Sequence, residues 1–263
     1  MKRRAWTNLL PLLAVVALGL LGVALSTQPA GRLDPAASWC SPSAARLLGC
    51  GEAGVDLLST VSWGGLRAIA LAAAVALSAF GIGVPAGVAA GLARGAAERA
   101  FERLCDLVQA FPSFLLAVAV LGAVRLPSRV HIAAVFALTA WAPFARLALA
   151  QTRVLREAAF VEAAVALGRG RVGVLFGHLV PNVLGVVAVQ LGSTGASIVV
   201  SEAALSFVGL GPADGVSLGG VLDQGVASML RAPHVLVVGA LATFATSCAM
   251  LVAGRAAALE TRG

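Results

Sequence analysis

The sequence contains little charge, and this scarcity excludes most protein classes. Only 12% of its 263 residues are charged, whereas 59% are hydrophobic and the mean hydropathy is +0.94. Because a soluble domain carries about 25% charged residues, a water-soluble fold of this length would have too few charges to cover its surface. Disordered chains are polar, so the same composition also excludes disorder.

Other shortages narrow the class further. Four cysteines are too sparse for a disulfide scaffold, and the 30 glycines have no three-residue period of the collagen type. The basic residues stand singly between apolar runs without interleaved aromatics, which argues against nucleic-acid binding. These exclusions leave an all-α integral membrane protein that crosses the lipid bilayer several times.

Six apolar stretches approach the roughly 20 residues that a bilayer-spanning helix needs. They are Leu9–Leu25, Arg67–Ala93, Leu104–Val124, Val130–Ala150, Val183–Val200 and Val235–Ala253. We therefore predict six transmembrane helices, divided into an N-terminal helix with an outer loop (1–66), a main transmembrane domain (67–255) and a tail (256–263). The first stretch also resembles a signal-peptide core, with basic residues before it and small residues after it, so its retention stays open.

The distribution of basic residues predicts the orientation in the membrane. Thirteen of the nineteen Lys and Arg residues fall within 1–8, 94–103, 146–182 and 254–263, which all lie on one side in a six-span topology. Cytoplasmic loops are enriched in Lys and Arg, so we expect both termini in the cytoplasm. The long loop at 151–182 is then cytoplasmic, and loops of this length tend to be functional.

This loop has the pattern of two short amphipathic helices. Apolar residues recur at helical spacing over 154–166, and Gly168 stands where a left-handed residue would end the first helix. Pro181 suits the first turn of the next span. The loop is either a surface helix at the lipid headgroups or a helix that inserts into a groove on a cytoplasmic partner.

The same loop resembles the EAA loop of ATP-binding-cassette importer permeases. An acidic residue, two small residues, a glycine and a proline stand at the spacing of that family: Glu162, Ala163, Ala164, Gly168 and Pro181. His178, followed by Pro181-Asn182, is similar to the variant found in the dipeptide, oligopeptide and nickel permease branch.

Five neighbouring segments extend the resemblance to this branch over about residues 54–235. They lie at 54–59, 106–113, 141–146, 160–164 and 201–211, and the last resembles a signature of the branch's C-type subunit. The chain departs from the pattern at Val55, where the family has Arg, and at 217–219, where the family's tryptophan is missing. It also contains no tyrosine and lacks the family's C-terminal ending.

The resemblance implies a type I ABC importer permease fold of six transmembrane helices in the bacterial cytoplasmic membrane. It implies a homologous second permease subunit, cytoplasmic ATP-binding-cassette ATPases and an extracytoplasmic solute-binding protein as partners. Residues 162–164, Gly168, His178 and Pro181 would then dock on the ATPase, which would bind ATP and Mg. The implied cargo is a dipeptide or oligopeptide, with nickel or another small solute as the alternative.

No motif indicates chemistry performed by this chain itself. The sequence has no G-x-x-x-x-G-K-[ST] phosphate-binding loop and no nucleophile–base arrangement. The three histidines, His131, His178 and His234, lack metal-ligand spacing. We therefore expect no catalytic residue, bound cofactor or metal.

The glycines between Gly81 and Gly87 lie within an apolar span. We expect them to allow close helix packing.

Four polar residues near the spans are candidates for the solute pathway or its gate. Asp106 and Gln109 lie near the inner end of the third span, and Arg146 lies near the end of the fourth. An acidic residue at membrane depth suggests function, although a solvated or capping role is the alternative. Glu202, at the outer end of the fifth span, either contacts the solute or its binding protein, or pairs with Arg231.

The outer loop at 26–66 contains two of the four cysteines, Cys40 and Cys50. An oxidising exterior permits a disulfide between them, and two free apolar cysteines are the alternative.

A secondary transporter or channel without an ATPase is the competing class of function. It would carry ionisable residues at mid-span and inverted repeats, whereas in this sequence mid-span charges are nearly absent and no convincing repeat is found. An assembly or scaffold membrane protein with an interaction loop is a third interpretation.

Overall fold

The apolar stretches fold into a helical bundle. The structure is a computed structural model that describes residues 2–159, 161, 163, 168, 170, 177, 180–213 and 215–260. Its α-helices are α1 (Lys2–Leu25), α2 (Leu57–Ala93), α3 (Gly95–Ala110), α4 (Ser113–Gly122), α5 (Arg129–Leu155), α6 (Val180–Phe207), α7 (Leu218–Ala227) and α8 (Pro233–Glu260). Within these residues no β-strand forms, and Cys50 and Asp56 make an isolated bridge.

Four helices among the described residues are long and apolar enough to cross a membrane, namely α2, α5, α6 and α8. Together α3 and α4 form a fifth candidate span, bent by 63° at the break between them. Residues Leu9–Leu25 of α1 are a shorter apolar segment. The all-α membrane class is confirmed, and the count of six spans stays a prediction.

Helix α2 begins at Leu57, ten residues before the predicted second span at Arg67. Asp56 caps the helix by accepting the backbone N–H of Leu58 at 3.2 Å. The first turns contain polar residues that lower the hydropathy but lie buried in the bundle: Ser59, Thr60 and Ser62. The predicted division between 66 and 67 therefore falls inside one helix.

The predicted third span at 104–124 is two helices rather than one. Helix α3 ends at Ala110, and Phe111 has an extended backbone with φ −85° and ψ 120°. The next residue, Pro112, has no N–H and disfavours helical geometry in the residue before it. The chain therefore bends at Phe111–Pro112 before α4 begins.

Glycines allow the close approach of α2 and α5, which form the most extensive helix pair of the bundle. A Cβ atom at Gly83 would overlap the carbonyl oxygen of Trp141, and one at Gly87 would overlap that of Ala145. Nothing lies within 4 Å of the Cβ position at Gly81. The predicted packing role is confirmed for Gly83 and Gly87 and is wrong for Gly81.

We call the two ends of the bundle the cap end and the loop end. The cap end holds residues 26–56 and α7, and the loop end holds the α2–α3 turn, the end of α5 and the start of α6. Helices α1 and α2 are antiparallel neighbours, because Gly19 faces Leu66 and Gly22 faces Ser62. Of the segments rich in Lys and Arg that were predicted to share one side of the membrane, the described stretches 2–8, 94–103, 146–159 and 254–260 lie at the loop end.

Candidate functional site

A network of ion pairs at the loop end joins α3 to the end of α5. Arg153 donates from Nε to Glu98 Oε1 at 2.7 Å and from Nη2 to Glu102 Oε2 at 3.1 Å. Arg156 Nη1 donates to Glu98 Oε2 at 3.4 Å and also to the backbone carbonyl of Gly91. We call Glu98, Glu102, Arg153 and Arg156 the basal clamp.

The basal clamp connects three helices directly before the long loop. Glu98 lies on α3, the two arginines lie at the end of α5, and Gly91 belongs to the last turns of α2. The Glu98 side chain is 8% exposed and that of Arg156 is 13% exposed, so this part of the network is shielded from solvent. Partly buried charges of opposite sign attract more strongly than exposed ones, and the arrangement fixes the position at which the loop leaves the bundle.

The structure describes part of the predicted docking segment. Ala159, Val161 and Ala163 are helical, Val161 is buried, and Ala163 is exposed. Gly168 has φ +83° with open space around its Cβ position, so its predicted left-handed conformation is confirmed. Pro181 lies exposed in the first turn of α6. The predicted residues Glu162, Ala164 and His178 lie outside the described residues.

A cavity of about 430 Å³ lies between the α3–α4 break, α5 and α6. The break contributes Gln109, Phe111, Pro112 and Ser113 to its wall, and α5 contributes Thr139 and Pro143. From α6 the cavity receives hydroxyl and carboxamide side chains, which we call the polar stripe: Gln190, Ser193, Thr194, Ser197 and Ser201.

The polar stripe occupies one face of a largely apolar helix. Its members stand at i, i+3, i+4, i+7 and i+11, and residues at these intervals share a face of an α-helix. Gln190 Nε2 donates to Thr194 Oγ1 at 3.3 Å, which links two members of the stripe. Their spacing in the sequence is the signal that identifies this face.

Asp106 and Arg146 lie beside this cavity and pair with each other. Arg146 Nη1 donates to Asp106 Oδ1 at 2.7 Å, and the two side chains are 52% and 51% exposed. Neither residue caps a helix. The predicted candidates Asp106 and Arg146 are therefore brought together across α3 and α5, whereas Gln109 lines the cavity and donates to the backbone carbonyl of Cys105.

Glu202 lies apart from this group, at the far end of α6. Its side chain is buried and its Oε1 accepts the hydroxyl of Ser206 at 3.2 Å. Arg231, the partner suggested from the sequence, is exposed.

At the cap end, the loop at 26–56 is closed by a disulfide and packs on α7 and α8. Cys40 and Cys50 form a disulfide, which decides between the two alternatives left by the sequence. Arg46 binds Asp34 at 2.6 Å, and the backbone N–H of Glu52 donates to Gln224 Oε1 at 3.1 Å.

Metal ligands do not cluster in the part of the chain that the structure describes: no group of three or more His, Cys, Asp or Glu side chains forms there.

The basal clamp was not predicted from the sequence. Glu98 and Glu102 stand at i and i+4 on the amphipathic helix α3, which places both on one face. Sequence spacing alone does not say which arginines approach that face, because the contacts join residues more than fifty positions apart.

Comparison with known proteins shows which protein family the chain matches. Residues 83–259 match the family described as "Binding-protein-dependent transport system inner membrane component". The matched region contains the basal clamp, the cavity and the long loop.

Individual relatives carry a more specific description. The chain is 32% identical to the "Glutathione transport system permease protein GsiD" of Shigella dysenteriae serotype 1 over 216 residues, which cover 81% of this chain and 70% of that protein. The protein of the same description from Escherichia coli O1:K1 gives the same identity and coverage. That of Salmonella typhimurium strain LT2 is 34% identical over 155 residues, covering 58% of this chain and 50% of its own length.

Proposed function

The chain belongs to the family of inner membrane components of binding-protein-dependent transport systems, and from this membership we propose the cargo, the partners and the coupling residues of the importer that it serves. It is a permease subunit, embedded in the inner membrane by several apolar helices.

The proposed cargo is a small peptide. Relatives that align with most of this chain are described as glutathione transport permeases, and glutathione is a peptide-like solute. Nickel or another small solute is the alternative, and an uptake assay with labelled solutes separates the two.

The proposed partners are a homologous second permease subunit, a pair of cytoplasmic ATP-binding-cassette ATPases and an extracytoplasmic solute-binding protein. On this proposal both termini and the loop end face the cytoplasm. The chain has no phosphate-binding loop, and its single lysine is Lys2, so ATP and Mg are bound by the partner ATPases. This subunit then supplies no catalytic residue and holds no cofactor of its own.

The docking residues are proposed to be Glu162, Ala163, Ala164, Gly168, His178 and Pro181. The exposure of Ala163 supports the proposal, because a small exposed side chain allows a partner surface to approach closely. The left-handed backbone at Gly168 supports the proposal as well, because a glycine in this conformation is typical of the end of a helix.

The observation that carries the coupling role is the basal clamp. The chain enters the docking segment directly after Arg156, whose guanidinium binds Gly91 of α2 and Glu98 of α3. A force applied by the ATPase to the loop is therefore transmitted to three helices together rather than to α5 alone. The helices then rock between two states whose populations are set by the nucleotide in the ATPase.

Affinity purification of the tagged chain from native membranes tests the proposal. An ATPase subunit that co-purifies, together with ATP-driven uptake of a labelled peptide by reconstituted vesicles, is the expected result. Purification of the chain without any ATPase, with uptake driven by an ion gradient instead, would identify a secondary transporter and contradict the proposal.

A further inference from the structure

The polar stripe of α6 faces away from lipid. Ser197 is exposed on this single chain, and Ser193, Thr194 and Gln190 are half-buried, yet all belong to a helix long and apolar enough to cross the membrane. Polar side chains within a membrane span face the protein interior or a water-filled cavity. The stripe therefore marks a face covered by water or by protein.

The break between α3 and α4 leads to the same conclusion by a separate route. It interrupts the helical backbone inside a candidate span, where every N–H and C=O group needs a partner. Irregular backbone at membrane depth is tolerated only where it is buried in protein or lines a water-filled cavity. Both features border the same cavity, so the two arguments identify one compartment.

The described lining of this cavity offers hydrogen bonds but no charge. It consists of the hydroxyls and carboxamides of the polar stripe, Gln109, Ser113 and Thr139, together with apolar walls that include Phe111 and Phe136. Asp106 and Arg146 lie one turn away from Gln109 and Pro143, but each binds the other. A carboxamide both donates and accepts hydrogen bonds, so this wall matches peptide amide groups better than it matches a free ion.

We propose that this cavity is a solute-contacting compartment of the permease, in which Gln190, Thr194 and Ser197 bind the amide groups of a peptide cargo. Its volume of about 430 Å³ falls within the range of small-molecule sites. The compartment rests on the proposed function, because only a peptide importer supplies such a cargo. Carboxylate and ammonium groups of the cargo are not recognised by this wall.

Cysteine accessibility tests whether the compartment holds water and solute. The free cysteines Cys105 and Cys248 are first replaced by alanine, and Ser197→Cys is compared with Leu241→Cys on the exposed apolar face of α8. In the complete transporter in nanodiscs, a hydrophilic methanethiosulfonate reagent labels position 197 about tenfold faster or more, because the thiolate forms in water and not in lipid. Tri-alanine, supplied with the binding protein, slows the labelling at 197. Equal labelling rates at the two positions, or no protection by tri-alanine, overturn the inference.

Uptake of tri-alanine tests the hydrogen bonds themselves. Gln190→Leu and Thr194→Val each lower ATP-driven uptake by about fivefold, the effect of one lost hydrogen bond, whereas Thr243→Val retains it. Thr243 is the matched control because its hydroxyl binds the backbone carbonyl of Gly239 within α8, away from the cavity. If the wild type takes up no tri-alanine under ATP, the proposed function fails; equal uptake by the wild type and both variants overturns this inference alone.

Discussion

At the scale of single residues, backbone geometry decides which positions of the loop tolerate change. Gly168 and Gly170 both have open space around the Cβ position, but only Gly168 has a positive φ. Within the part of the chain that the structure describes, a side chain at Gly168 is therefore opposed by the backbone conformation and not by neighbouring atoms.

We predict that Gly168→Val uncouples ATP hydrolysis from transport while the protein still inserts into the membrane. An L-residue in the left-handed region costs about 1–2 kcal/mol, so the turn is displaced from its position. Uptake and ATPase activity of reconstituted vesicles measure the effect, and Gly170→Val is the control that retains transport. Normal uptake by Gly168→Val would remove the role assigned to this turn.

Asp56 is both a helix cap and a buried carboxyl, and these two roles shift its pKa in opposite directions. Burial raises the pKa of its carboxyl above the model-compound value of 3.8, and the hydrogen bond from the Leu58 N–H lowers it by a smaller amount. When folding raises the pKa of a carboxyl, the free energy of unfolding of the protein falls as the pH rises. The fall occurs between the pKa of the carboxyl in the unfolded chain and its higher pKa in the folded protein. At neutral pH the ionised carboxylate therefore stabilises the start of α2 through its hydrogen bond, and its burial destabilises the folded state.

This balance predicts opposite outcomes for two substitutions at Asp56. Asp56→Ala leaves the Leu58 N–H without its acceptor and lowers the unfolding free energy by about 1 kcal/mol. Asp56→Asn keeps an acceptor and removes the buried charge, so its stability at neutral pH equals or exceeds that of the wild type. Thermal unfolding of the purified protein in detergent compares the two, and equal losses in both variants would mean that the charge itself stabilises the fold.

At the scale of helices, the sequence predicts which segments form apolar helices better than it predicts where each helix begins and ends. The apolar runs and the glycines of α2 identify membrane helices and their close packing. Hydropathy misses the first turns of α2, because Ser59, Thr60 and Ser62 are polar yet buried. It also misses the bend at Phe111–Pro112, because an averaged window does not register one proline.

The packing of α2 against α5 predicts the effect of a single methyl group. Gly87→Ala places a Cβ against the carbonyl oxygen of Ala145, so the helices must separate, and overpacking of this kind costs about 1–3 kcal/mol. Gly81→Ala is the matched control, because nothing lies near its Cβ position. The thermal midpoints of both variants in detergent test this, and a drop for Gly81→Ala equal to that for Gly87→Ala would contradict it.

The basal clamp predicts a graded loss of coupling. Glu98 binds both arginines, whereas Glu102 binds Arg153 through one contact at 3.1 Å. Glu98→Gln therefore reduces the transport achieved per ATP more than Glu102→Gln does. The ratio of peptide taken up to phosphate released in vesicles measures this coupling, and an unchanged ratio in Glu98→Gln would exclude the clamp from force transmission.

At the scale of the whole molecule, the described residues form three features in different parts of the bundle. The cap end is held by the disulfide and by Arg46, the cavity lies between broken and polar helices, and the loop end gathers the clamp and the docking segment. The sequence predicts the grouping of the basic segments at one end, because charge distribution follows topology. It does not predict the cavity or the clamp, since both depend on contacts between residues distant in the chain.

Site-specific photo-crosslinking tests whether the loop end contacts the ATPase, as we propose. A photoreactive p-benzoylphenylalanine is incorporated in place of Ala163, which is exposed in the docking segment, or of Leu230, which is 99% exposed at the cap end. We expect a covalent adduct with the ATPase subunit from position 163 and none from position 230. An ATPase adduct from position 230, or adducts from position 163 with lipid alone, would contradict it.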